Sequence, residues 1–386
     1  MPSTHPNGII TNGDSSVGDG APSRKTKPTV LFVNSSVREI DAARWKDIQT
    51  RFDILDYDCS TVDEFMACVK TPGHPYTRID ALVWTGWFKA GPFAPQTELL
   101  LRGEPLELMP PSLKLICCSG HGYDHADVAR MTERGILYCN TPEACTEATA
   151  NVGLMLILNA FRYLSFAERC ARTLEDGGWN KSRTLGSRAI DPEGQVLGIV
   201  GMGSIGRAIA RKAATALGME IHYYNRRQLS ERDEMLAPGC RATYHASLDS
   251  LVSAADCLCL ACGCTPDMVH MLSTPQFNLA KPTGLRIVNV GRGALIDETA
   301  LLSAIEAGKV IGVGLDVHAD EPNINPALRE NYMVTVLPHI GTCSRTSWAN
   351  IEKKQLDDLD EFFFGSGKPR NAVNKQVCGQ SWGSHS

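Results

Sequence analysis

Gly201-Met-Gly-Ser-Ile-Gly206 is the segment with the plainest chemical use. It follows the apolar run Gln195-Val-Leu-Gly-Ile-Val200 and leads into RAIARKAATALG, where Ile205, Ala208, Ile209 and Ala216 recur at helical spacing. Strand, glycine turn and helix in that order make a phosphate cradle. Gly201 permits the tight turn, Gly203 lets the backbone approach a pyrophosphate, and Gly206 lets helix and strand pack closely. Ser204 and Ile205 open the helix whose unpaired N–H groups face the anion. One strand later, where a carboxylate would take the ribose 2′-hydroxyl of NAD, the chain reads Tyr224-Asn225-Arg226-Arg227. A carboxylate there would repel a 2′-phosphate, whereas guanidinium forks bind phosphate bidentately. Asn225, Arg226 and Arg227 therefore predict NADP(H) in preference to NAD(H), against the plainer alternative of a solvated arginine pair.

A second cluster is Cys257, Cys259, Cys262 and Cys264 in DCLCLACGC, which with His270 has the look of a zinc site. Cys257 and Cys259 alternate with leucines as small apolar residues do on a buried strand, so buried thiols are expected there and no metal. The fourteen cysteines of the whole chain are expected reduced, because no export signal is visible and the chain is large.

Elements must position these groups. Thr29–Val33, Ala81–Trp84 and Leu113–Cys117 are short apolar runs separated by helical stretches, the rhythm of a parallel α/β sheet. A second series begins near residue 195: Gln195–Val200, Met219–Tyr224, Cys257–Leu260, Arg286–Val290, Val310–Val313 and Val334–Leu337. Two series predict two sheets and two domains. The long helical pattern from Glu147 to Thr173 is placed as the element that carries the chain between them. With 386 residues, 43% hydrophobic and a net charge of −5, the composition suits an ordinary soluble globular protein and argues against nucleic-acid or acidic-membrane partners. The richest apolar stretch, VGLMLILNAF from Val152, is short and interrupted by Asn159, so it is expected as a buried helix. Residues 1–28 are rich in Gly, Ser, Pro and Asn and lack an apolar core, which predicts a disordered tail and a cytoplasmic location.

From about Ile116 to Asn374 the chain resembles the D-isomer-specific 2-hydroxyacid dehydrogenases, most of all their fungal D-mandelate dehydrogenase-like branch. The resemblance lies in Asn140-Thr-Pro142, the glycine loop, Asn289-Val-Gly-Arg-Gly293, Gly314-Leu-Asp-Val317, Glu321-Pro322 and Pro338-His-Ile-Gly341. Phe161 to Arg169 and Gly194 to Gly198 point to the branch. The resemblance implies a catalytic set of Arg292, Glu321 and His339. A guanidinium grips the substrate carboxylate and polarises the neighbouring carbonyl; an imidazolium stabilises and protonates the oxygen as hydride arrives; a carboxylate keeps that imidazole charged and oriented. Asp316 stands where family members hold the nicotinamide carboxamide, a turn cap being the alternative.

Cys118-Ser-Gly-His-Gly-Tyr-Asp124 resembles the family loop whose backbone N–H groups bind the substrate carboxylate, with Gly120, His121 and Gly122 as anchors. Thr85-Gly-Trp87 resembles a second substrate-facing loop: Gly86 and Trp87, with Phe88, either wall an apolar pocket for a bulky or aromatic 2-oxo acid or pack on the core.

The implied fold is α/β, with two doubly wound parallel sheets and a Rossmann-type cofactor domain, residues 151–340, inserted in a flavodoxin-like substrate domain. That outer domain spans 29–150 and 341–386, with the Cys343–Phe364 helix returning to it. Closure of the cleft is expected about crossings near 147–155 and 338–346. A homodimer through the helix after Glu147 follows from the resemblance. The favoured reading is reduction of a 2-oxo acid to the D-2-hydroxy acid. The alternatives are a dinucleotide-sensing or corepressor-like scaffold on the same fold, or a related phosphite or formate dehydrogenase.

Overall fold

The structure is a computed structural model, and it describes residues 27–33, 41–85, 94–173 and 177–379. Gly86, Trp87 and Phe88 lie outside the described residues, as does nearly all of the N-terminal segment. Five parallel strands, β1 (Thr29–Val33), β2 (Asp53–Asp56), β3 (Ala81–Trp84), β4 (Leu115–Cys118) and β5 (Leu137–Cys139), form one sheet in the order β2-β1-β3-β4-β5. Side chains alternate between two cores. Leu31, Leu82, Trp84 and Ile116 enter one, while Val30, Phe32, Val83 and Cys117 enter the other. Burial on both faces explains why these strands read as unbroken apolar runs.

The second sheet holds seven parallel strands: β6 (Val196–Val200), β7 (Glu220–Tyr224), β10 (Thr243–His245), β11 (Cys257–Leu260), β12 (Leu285–Asn289), β13 (Val310–Leu315) and β14 (Val334–Val336). Their order is β10-β7-β6-β11-β12-β13-β14, with the direction of winding reversing between β6 and β11. A small antiparallel ribbon, β8 (Met235–Ala237) and β9 (Cys240–Arg241), stands apart from it. Strand order reversal opens a crevice at the carboxyl ends of the strands, the place where α/β sheets take ligands.

Three features depart from the sequence-based expectation. The sheets contain β2, β5 and β10, which are short, and β2 and β10 keep polar, partly exposed residues. The helix expected over 147–173 is two helices, α1 (Thr146–Arg162) and α2 (Leu164–Arg172), bent by 74° at Tyr163. Tyr163 takes the left-handed conformation (φ 53°) and its hydroxyl donates to the Ile311 carbonyl. Buried Asn159 bonds across the bend, accepting from Ser165 N at 3.1 Å and donating to Ser165 Oγ at 2.7 Å. Among the described residues no single helix is long and apolar enough to cross a membrane. Thirdly, on α3 (Ser204–Leu217) the buried face is Ala208, Ile209, Ala210 and Ala213, and Ala216 points to solvent.

Helix α1 packs against β12, β13 and α3, on the side of the second sheet. The last helix, α4 (Arg345–Phe363), returns to the first sheet. Ser344 caps its N-terminus by accepting from Ser347 N. Within it, buried Gln355 donates to the carbonyls of Trp84 (2.9 Å) and Cys117 (3.3 Å), satisfying groups at the carboxyl ends of β3 and β4.

Candidate active site

The glycine loop joins β6 to α3. Gly201 has φ +96°, and a Cβ at Gly206 would lie 2.1 Å from the Gly201 carbonyl oxygen, so only glycine lets the helix start this close to the strand. A Cβ at Gly203 would meet nothing within 4 Å, so the loop is open on that side. Among the described residues the buried Ser204 Oγ has no partner, and the helix has no side-chain cap. Unspent donors at an open helix start fit a pyrophosphate. Asn225 Oδ1 accepts from Met202 N at 2.7 Å, so this side chain braces the glycine loop from the end of β7. Arg226 and Arg227 are exposed and form no salt bridge among the described residues. Cys257 and Cys259 are buried on β11 as expected. Cys262, just past that strand, packs on the loop, its Cβ lying 2.6 Å from where a Cβ on Gly201 would stand.

His339, just past β14, also has a left-handed backbone (φ 53°), and four bonds clamp its segment. Glu321 Oε2 lies 2.8 Å from His339 Nδ1. Asp316, after β13, takes the N–H groups of Ile340 and Gly341 on its two oxygens, both at 2.8 Å. His318 Nε2 reaches the Leu337 carbonyl at 2.8 Å. A non-glycine residue in this conformation persists only where its surroundings over-determine it, and these partners do so. Both Asp316 oxygens are thus engaged with the backbone beside His339, which is nearer to the capping alternative than to the nicotinamide contact, but across 24 and 25 residues and not within a local turn. Burial pushes the Asp316 carboxyl above its ordinary value, against those two N–H bonds. Burial also pushes Glu321 upward, but bonds from His339 and from the His318 N–H outweigh it and hold Glu321 below the usual range.

Arg292 follows β12 on a turn braced by buried Asn289, which accepts from Gly291 N and donates to the Arg292 carbonyl. Its guanidinium crosses to the loop after β4: Nε lies 3.0 Å from both Asp124 carboxylate oxygens and Nη2 lies 2.9 Å from Oδ1. In that loop the Gly120 N–H is already donated to Thr141 Oγ1 at 2.9 Å, and Asn140 Nδ2 holds the His121 carbonyl at 2.7 Å. Of the three expected anchors, His121 and Gly122 keep N–H groups without an acceptor among the described residues. Partial burial, then the Arg292 charge, lowers the His121 imidazole below its ordinary value.

The structure thus pairs Arg292 with Asp124 of the 118–124 loop and Glu321 with His339, and it packs the turn after Arg292 on His318, whose carbonyl carbon lies 1.9 Å from where a Cβ on Gly293 would stand. It adds three residues that sequence reasoning did not single out. Asp124 and His318 lay inside the quoted motifs or next to them, but nothing in their spacing signalled their partners. Glu98, on the 3-10 segment Ala94–Leu101, is the third. Burial pushes its carboxyl up, Arg102 opposes this, and the negative Glu321 and Asp124 add to it.

The model of the D-isomer specific 2-hydroxyacid dehydrogenase NAD binding domain matches residues 154–341. 4-Methyl-2-oxopentanoate reductase A of Aspergillus oryzae is 36% identical over 336 residues, covering 86% of this chain and 94% of the relative. The holo crystal structure of Rhodotorula graminis D-mandelate dehydrogenase matches with a TM-score of 0.82 at 30% identity, covering 90% of this chain and 98% of that one. A glyoxylate reductase from Paecilomyes thermophila matches with a TM-score of 0.77 at 31% identity, covering 91% and 99%. The chain belongs to the D-isomer-specific 2-hydroxyacid dehydrogenase family and is an NAD(P)-dependent oxidoreductase acting on 2-oxo and 2-hydroxy acids.

Proposed function

We propose that this enzyme reduces a 2-oxo acid with a bulky side chain to the D-2-hydroxy acid, preferring NADPH, with Arg292, Glu321 and His339 as its catalytic set. The observation that carries the reading is the carboxylate-backed imidazole, Glu321 on His339 Nδ1 at 2.8 Å, set with the Arg292 fork at the mouth of the cofactor sheet. The nicotinamide, when bound, supplies the hydride. The protein's own groups do the rest. Arg292 and the His121 and Gly122 amides orient the substrate carboxylate, which fixes the carbonyl before reaction. His339, with Nδ1 committed to Glu321, delivers its proton from Nε2 to the carbonyl oxygen as negative charge develops there.

Gly201, Gly203, Ser204, Ile205 and Gly206 would hold the pyrophosphate, Arg226 and Arg227 the 2′-phosphate, and Asp316 would serve the nicotinamide carboxamide. NADPH preference is supported by those two exposed arginines and by the absence of an acid at 225–227. A bulky side chain is supported by the relatives named for 4-methyl-2-oxopentanoate and mandelate. The two sheets are read as two domains divided near residues 150 and 340. A homodimer would cover the α1–α2 bend, where Met155 and Leu164 are exposed.

A panel of glyoxylate, pyruvate, 4-methyl-2-oxopentanoate and benzoylformate, each with NADPH and NADH, tests the reading. The two bulkier acids with NADPH should give the highest kcat/KM. Highest efficiency with glyoxylate would remove the bulky pocket, and an NADH preference would remove the role of Arg226 and Arg227. The same assay on His339→Ala should show turnover lost and NADPH binding kept; turnover like that of the unmodified enzyme would take His339 out of the mechanism.

A further inference from the structure

We infer that Asp124 is a positioning residue that presets the Arg292 guanidinium at the expense of substrate affinity. The inference rests on the proposed role of Arg292 as the group that grips the substrate carboxylate. A guanidinium has five N–H donors. Here Nε and one Nη2 hydrogen are held by the Asp124 carboxylate, and one Nη1 hydrogen by the Gly291 carbonyl at 2.8 Å. Among the described residues one donor remains without an acceptor on each of Nη1 and Nη2, a pair suited to a second carboxylate.

The loop is shaped for this fit. A Cβ at Gly122 would stand 1.7 Å from Arg292 Nη2, so the backbone there must be bare for the guanidinium to lie against it. Asp124 follows β4 and Arg292 follows β12, 168 residues apart, so each sheet brings one partner.

The arrangement has two opposed effects. A bidentate carboxylate fixes the plane of the fork, so the two remaining donors are aimed before substrate arrives. The same carboxylate neutralises the cation. An anionic substrate then meets a neutral pair, with the negative Glu321 beside His339 at the same end of the sheet, and like-charge crowding weakens binding. Partial burial pushes the Asp124 carboxyl up, but the Arg292 bonds outweigh it and keep Asp124 ionised below the usual carboxylate range.

A purely structural residue would lower affinity and turnover together when replaced; Asp124 is expected to move them in opposite directions. The test measures the dissociation constant of oxamate on enzyme saturated with NADPH, and kcat for benzoylformate, in the unmodified protein, Asp124→Asn, Asp124→Ser, Arg292→Ala and Arg292→Gln. Both Asp124 variants should bind oxamate about tenfold tighter and turn over about tenfold more slowly. The Arg292 variants should lose oxamate binding. If they lose it while the Asp124 variants bind oxamate no tighter than the unmodified enzyme, or keep its kcat, the role of Asp124 is overturned and that of Arg292 stands. If the Arg292 variants bind oxamate normally, the reading of Arg292 fails and the inference with it.

Discussion

Glu321 Oε2 sits 2.8 Å from His339 Nδ1, although the two residues are 18 positions apart and leave different strands of the second sheet. The bond fixes which ring nitrogen faces the carboxylate, and with it the tautomer and orientation of the imidazole. Glu321→Gln keeps the shape and removes the charge. It should lower kcat/KM by about 100-fold, within the range general acid–base groups contribute, with little change in NADPH affinity. Steady-state kinetics and a fluorescence titration of NADPH check both halves.

His318 acts on His339 through the chain. Its ring donates to the Leu337 carbonyl, and its buried Nδ1 has no partner among the described residues. His318→Phe should cost kcat about tenfold with KM nearly unchanged, because a small displacement of a catalytic group is felt in turnover. His318→Gln, whose amide nitrogen reaches the position of Nε2, should recover most of it. Equal losses in the two variants would show that the ring's bulk, and not its hydrogen bond, is what matters.

Arg226 and Arg227 follow β7 and form no salt bridge among the described residues. Replacing both with serine should reduce the ratio of kcat/KM for NADPH over NADH by about 100-fold, the loss of two charge-assisted contacts to a phosphate. The NADH value alone should change little.

Asp358 offers a stability test away from the site. It is buried on α4, accepts from Asn371 Nδ2 at 2.9 Å, and burial pushes its carboxyl up to about 6. A folded-state value above the unfolded one means that the folded protein binds the extra proton. Asp358 therefore destabilises the fold once ionised: stability falls as pH rises from the ordinary carboxylate value to about 6, and is level above that. Asp358→Asn should gain thermal stability over the unmodified protein progressively across this window and hold the gain at pH 8. Melting curves at pH 4.5, 6 and 8 read the difference, and a constant offset would mean that the charge is not involved.

Much of this architecture was legible in the sequence because the central strands are buried on both faces: Val196–Val200 and Cys257–Leu260 announce themselves by apolarity alone. Asp53–Asp56 does not, since its ends are exposed aspartates. The bend at Tyr163 escaped notice because α1 and α2 share one helical period, and Asn159 reads as an interruption when it is the bonding partner of Ser165. Glycine loop, arginine, glutamate and histidine could be found as motifs. Their partners could not, because Asp124 with Arg292 is a contact between segments from different sheets, and pairings of that kind leave no local pattern in a chain.

Thr149, in the first turn of α1, donates its hydroxyl to the Gly341 carbonyl at 3.2 Å, fastening the outbound strand of chain to the returning one two residues beyond His339. The two passages of the chain between the sheets are thereby tied to each other beside the segment that carries the imidazole, so neither crossing is anchored independently of the other.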